Sequence, residues 1–135
     1  MRRAGHLDTR ELVAIFLGGS VGALARAALT QALAVRADAW PWATFAANLL
    51  AVLVLGLLLA GGAGGAAEPS YRRAFLTTGL CGALSTFSTM MLELLRMIDA
   101  NDWGLALAYA GASLVGALAT FALADRVGRR ERLAA

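Results

Sequence analysis

The sequence predicts an all-α membrane protein of four transmembrane helices, and three observations lead there. Of its 135 residues 59% are hydrophobic, with a mean hydropathy of +0.67, whereas a soluble domain has roughly 45–50% apolar residues. Four long apolar stretches, 12–34, 42–60, 74–97 and 103–124, each approach the about 20 residues that a helix needs to cross hydrocarbon. The intervals between them, 36–41, 61–73 and 99–102, are short and hold the prolines, a glycine-rich run and charge. The chain therefore divides into a polar N-terminal tail (1–11), one transmembrane domain (12–124) and a basic C-terminal tail (125–135). A signal peptide is a poor reading of the first stretch, because 23 apolar-rich residues exceed an h-region.

Composition removes several function classes. One cysteine, Cys81, and one histidine, His6 in the polar tail, leave no disulfide framework, no cysteine-based zinc site and no Ser-His pair. No glycine-rich phosphate loop follows a strand, and no nucleophile-base pair is visible, so an enzyme is not expected. The positive charge comes from twelve arginines and no lysine. All but Arg26 lie at or near the ends of apolar runs, which points to anionic lipid headgroups rather than nucleic acid.

Nine arginines (Arg2, Arg3, Arg10, Arg72, Arg73, Arg126, Arg129, Arg130 and Arg132) fall on the side shared by the termini and the second loop, and only Arg36 and Arg96 fall opposite. By the positive-inside rule both termini are expected in the cytoplasm.

Polar groups inside a membrane are costly, so their positions carry the functional signal. Arg26 lies two-thirds through the first stretch with no acidic residue in that span. It either snorkels to the interface or lines a wet vestibule that attracts anions. In the second stretch Asn48 follows Thr44 by four residues, so both project from one face. Its carboxamide is either interhelical glue or an uncharged donor to a passing anion. The third stretch carries Gly79 and Gly82 and then Ser85, Thr86, Ser88 and Thr89. This composition predicts a helix broken near mid-membrane, whose freed carbonyls could bind a cation such as Na⁺. Hydroxyls bonding back to the preceding turn would leave only a bend.

In the fourth stretch Tyr109 and Ser113, with Thr120 beyond, form a sparse polar stripe. Trp40, Trp42 and Trp103 sit at span ends and read as interfacial anchors. Glu11, Asp38, Glu93, Asp99, Asp102 and Asp125 are all read as lying at or near span ends. A proton-coupled exporter needs a carboxylate at a helix centre, so this weighs against one. Gly18-x-x-x-Gly22 and Ala112-x-x-x-Gly116 are faces for close helix approach, either within the chain or at a dimer seam.

Three segments together resemble the CrcB/Fluc fluoride channels. They are Gly18-Gly19-x-x-Gly22-Ala23-x-x-Arg26, Pro41-x-x-Thr44-x-x-x-Asn48 leading to Gly56, and Thr77-Thr78-Gly79-x-Cys81-Gly82-x-x-Ser85-Thr86-Phe87-Ser88-Thr89. The resemblance implies an antiparallel dimer with two fluoride pores. Thr44 and Asn48, Phe87 with Ser88, Thr89 and Met90, and the Tyr109-Ser113 track would line them, with Arg26 at the vestibule. It also implies one Na⁺ at the dimer centre, held by backbone carbonyls of Gly82 and Ser85 from both chains.

The sequence departs from the family pattern at Met90, where a second phenylalanine is usual, and at Ala83, Ser85 and Ala51. A thioether lacks the electropositive edge of a ring, so Met90 is expected to alter conduction. The arginine bias favours one orientation while an antiparallel homodimer needs both. A heterodimer with an oppositely oriented homologue is therefore an alternative to the homodimer.

The expected function is passive fluoride export across the inner membrane of a prokaryote. The alternatives are a small multidrug-type, proton-coupled exporter and a non-conducting subunit or scaffold.

Overall fold

A computed structural model describes residues 8–33, 39–60 and 70–134, and of residues 131–134 the backbone alone. The described residues form helices joined by short connections, with no strand among them. His6, Arg2, Arg3, Arg36 and Asp38 lie outside them.

Helix α1 (Thr9–Ala32) starts three residues before the apolar run, inside the expected polar tail. Hydropathy does not register the reason: the Asp8 carboxylate accepts the Arg10 N–H at 3.4 Å, and Glu11 sits in the first turn, where the helix dipole favours an anion. Helix α2 (Trp42–Ala60) has the bounds read from the sequence.

The third span is composite. A short α3 (Ser70–Arg73) leads into a π-helical segment (Ala74–Cys81) and α4 (Gly82–Leu84), and the chain resumes as α5 (Phe87–Asp99). Between α4 and α5, Ser85 (φ −74°, ψ 152°) and Thr86 (φ −150°, ψ 116°) are extended. Thr86 then caps α5, its hydroxyl accepting the Thr89 N–H at 3.3 Å.

A tight turn follows, with Asn101 at φ 60°, a left-handed conformation that asparagine tolerates. The Asn101 and Asp102 amides close it on the carbonyls of Ile98 and Met97. Asp102 then caps α6 (Trp103–Ala134) by accepting the Leu105 N–H at 3.1 Å. The basic segment 125–135 continues this helix as far as Ala134, and Arg129 binds Asp125 one turn back at 2.8 Å.

Among the described residues four stretches are long and apolar enough to cross a membrane: Thr9–Ala32, Trp42–Ala60, Ser70–Asp99 and Trp103–Arg130. Between 11% and 28% of each is buried within the chain, so most of their apolar surface is left for lipid or another chain.

The glycine faces serve packing inside the chain. A side chain at Gly18 would strike the Phe75 carbonyl, and one at Gly22 the Leu80 carbonyl, so α1 lies backbone to backbone against the π-helical segment. Gly116 packs on Leu49, and Gly56 on Ala124, joining α2 to α6.

Candidate functional site

The α5–α6 hairpin is antiparallel, so residues a few turns from Asn101 on either side face each other. This brings Tyr109, fully buried at 0% exposure, against Glu93. The tyrosine hydroxyl donates to Glu93 Oε2 at 2.8 Å, and the hydroxyl of buried Thr44 donates to Glu93 Oε1 at 2.6 Å. Three helices thus converge on one carboxylate. Glu93 was expected at or near a span end, and the structure adds that its side chain points into the bundle. Helical phase explains why, since Glu93 lies three residues from partly buried Met90, four from buried Met97 and seven from buried Thr86, on the inward face of α5.

Asn48, one turn deeper than Thr44, spans the extended residues. Its Oδ1 accepts the Thr86 N–H at 2.8 Å and its Nδ2 donates to the Thr86 carbonyl at 3.3 Å. The side chain thereby satisfies both main-chain groups of a residue that has left the helix, as an adjacent strand would. One of the two amide hydrogens on Nδ2 remains for another acceptor.

The same bonds release carbonyls. In a continuous helix the Gly82 carbonyl would receive the Thr86 N–H and the Ser85 carbonyl the Thr89 N–H. Here the first goes to Asn48 and the second to the Thr86 hydroxyl. The residues expected to hold Na⁺ therefore have the chemistry for it, since a hard cation takes oxygen ligands and unwound carbonyls supply them. Among the described residues no group of three His, Cys, Asp or Glu side chains offers an alternative metal site.

Other expected residues are distributed unevenly. Met90 packs against the cluster of Met97, Ala106 and Tyr109. Ser88 and Thr89 are exposed, and their hydroxyls lie 3.4 and 2.9 Å from the Thr86 hydroxyl. Ser113, one turn beyond Tyr109, has a buried hydroxyl with no hydrogen-bond partner. Phe87 points away from the chain and is 74% exposed. Arg26 lies on α1, half-buried, while the donors to Glu93 come from α2 and α6.

Removing one donor from Glu93 tests this arrangement. Thr44→Val and Tyr109→Phe are each expected to lower the melting temperature in detergent, because a hydrogen bond to a charged group contributes about 1.5–3 kcal/mol. Combined, the two changes should depart from additivity, since both donors share one acceptor. Strictly additive melting shifts would show that the two bonds are independent.

The chain matches the family described as CrcB-like protein, Camphor Resistance (CrcB), over residues 13–124. It is 42% identical over 126 residues to a Fluoride-specific ion channel FluC 1 of Mycolicibacterium paratuberculosis, covering 93% of this chain and 96% of that one. To a protein of the same description from Mycobacterium bovis it is 46% identical over 127 residues, with 93% and 96% covered. A Fluoride-specific ion channel FluC of Bordetella pertussis is 38% identical over 107 residues, or 79% of this chain and 82% of that one. With a match over nearly all of its apolar core and relatives of this identity and coverage, the chain belongs to the CrcB family.

Proposed function

We infer that this protein is a fluoride-selective channel that lets cytoplasmic fluoride leave down its gradient across a prokaryotic inner membrane, with both termini in the cytoplasm. The near full-length similarity to proteins called fluoride-specific ion channels carries the reading. The site supplies its physical basis. Fluoride is small and strongly hydrated, so it must exchange water for compact donors. Thr44 and Tyr109 are such donors, held in place by an acceptor of the protein's own, the Glu93 carboxylate. An arriving fluoride competes with Glu93 for these hydroxyls and finds the spare amide hydrogen of Asn48 one turn on. The orphaned Ser113 hydroxyl continues the line of donors along α6.

The working unit of this reading is an antiparallel dimer. The largely exposed Phe87 and the lightly buried spans suit cover by a second chain. The interruption at Ser85 and Thr86 acts as a break of the third span within the membrane, with the Gly82 and Ser85 carbonyls of both chains turned to one Na⁺. That cation would offset the cost of bringing an anion into hydrocarbon. Arg26 draws anions to the vestibule. The arginine asymmetry keeps a heterodimer in play. Equal amounts of each orientation, measured by tagging both termini of the chain expressed alone, would remove the reason for it.

Fluoride efflux from liposomes holding the purified chain, followed with an ion-selective electrode, tests the function. Efflux of fluoride but not chloride is expected. Its absence from folded protein, both alone and co-expressed with an oppositely oriented homologue, overturns the reading. The inward Glu93 carboxylate gives the proton-coupled exporter a specific basis of its own. That reading requires efflux to follow an imposed pH gradient and to lose this dependence in Glu93→Gln, whereas a channel follows the fluoride gradient alone.

A further inference from the structure

Trp40, Trp42 and Trp103 occupy similar places in the sequence, yet the fold treats them differently. Trp42 and Trp103 are 54% and 56% exposed, as side chains anchoring at a headgroup boundary are. Trp40 is turned inward. Its ring meets Tyr109 at 5.4 Å and 81° and Phe45 at 5.6 Å and 79°, both edge to face. It also packs on the Met97, Ala106 and Tyr109 cluster. Trp40 stands two residues before α2, and its ring contacts with Phe45 and Tyr109 place it at the end of the bundle formed by the start of α2 and the α5–α6 turn.

The Trp40 Nε1 is buried and has no hydrogen-bond partner among the described residues. An indole N–H can only donate, and burying it unpaired is unfavourable. Phenylalanine would fill much of the same space without that penalty. Among the described residues the Ser113 hydroxyl is the other side-chain group in this condition, and it lies one turn beyond Tyr109 along α6. Two buried groups able to donate thus collect around the one tyrosine whose own hydroxyl is occupied by Glu93. Their shared deficit is an acceptor. A compact monatomic anion is the kind that can enter among rings in van der Waals contact.

Resting on the fluoride-channel reading, we propose that the Trp40 indole N–H donates a hydrogen bond to the permeating fluoride ion beside Tyr109. Trp40 is then part of the ion's path, at its end nearest the α5–α6 turn, rather than a membrane anchor.

Two measurements on the full chain test this. In the wild-type protein labelled with ¹⁵N, fluoride is titrated while the three indole N–H signals are followed, with chloride as the control and Trp40→Phe identifying the signal. The Trp40 signal is expected to move downfield with fluoride and to stay in place with chloride, while those of Trp42 and Trp103 remain. In liposomes, Trp40→Phe and an isostere that replaces the indole N–H by sulfur (3-benzothienylalanine) are each expected to slow fluoride efflux by about tenfold, the scale of one lost hydrogen bond. The isostere keeps the packing, so a folding defect in Trp40→Phe does not decide the matter. A Trp40 signal unmoved by fluoride in protein that conducts it, or wild-type efflux from the isostere, overturns the inference with the channel reading intact. Protein that passes no fluoride in either assembly overturns both.

Discussion

The Asn48→Ala variant is expected to lose fluoride efflux and to melt well below the wild-type chain. Asn48 Oδ1 and Nδ2 pair with the N–H and carbonyl of Thr86, a residue 8% exposed. Alanine leaves both groups buried without a partner, at about 1–3 kcal/mol each. That sum is a large part of the 5–15 kcal/mol by which native proteins are typically stable.

Asn48→Asp separates the two bonds. It keeps an acceptor for the Thr86 N–H, removes the donor to the carbonyl and adds an anionic group where fluoride would pass. It should melt between wild type and Asn48→Ala yet conduct no better than the alanine variant. Circular dichroism melting in detergent and electrode efflux report the two effects. Asn48→Ala protein with a wild-type melting temperature would show that Thr86 finds other partners, and with it unchanged efflux would remove Asn48 from the path.

The second large effect belongs to Gly79→Val. A Cβ at Gly79 would lie 2.7 Å from the Ile15 carbonyl oxygen and 2.9 Å from the Gly18 Cα. All of these are backbone atoms, so no side chain can rotate aside. Helix α1 must move off the π-helical segment, at a cost of at least the 1–3 kcal/mol, approximately, that overpacking usually carries. The variant should be recovered in low yield or aggregated by gel filtration. Gly19→Ala, at a position open on all sides, should behave as wild type. Equal yields of the two would mean that α1 packs elsewhere.

The contrast between these glycines marks what the sequence reveals. The apolar runs gave the spans, and α2 has the expected bounds because Pro41 precedes it and the glycine-rich run from Gly61 follows it in the sequence. Gly18 and Gly22 were recognisable as close-approach residues, but which neighbour they touch depends on tertiary pairing, and the role of Gly79 as their counterpart emerges only from the fold. Asn48 was legible as a polar residue in an apolar span. Its partner, the Thr86 backbone, lies 38 residues away and has no sequence signature.

Two residues have an orientation that their place in the sequence did not show. Glu93 and Trp40 stand near span ends in sequence. Glu93 is turned inward by its helical phase relative to Met90 and Met97, and Trp40, two residues before α2, by its ring contacts with Phe45 and Tyr109. A helical-phase comparison would have flagged Glu93 alone. The Asp8…Glu11 pair likewise announced the start of α1 in a form that hydropathy ignores.

Helix α6 extends these depth arguments beyond the bilayer. Thirty-two residues at 1.5 Å each make a rod of about 48 Å, against about 30 Å of hydrocarbon. Were Trp103 held at one boundary, the rod would emerge from the other as a stalk of about three turns carrying Asp125, Arg126, Arg129 and Arg130. The charged collar fixes the vertical position of α6, because sliding inward would drag arginines through lipid tails. In an antiparallel pair one stalk would rise from each face, so a reagent recognising it would meet an identical target from either compartment.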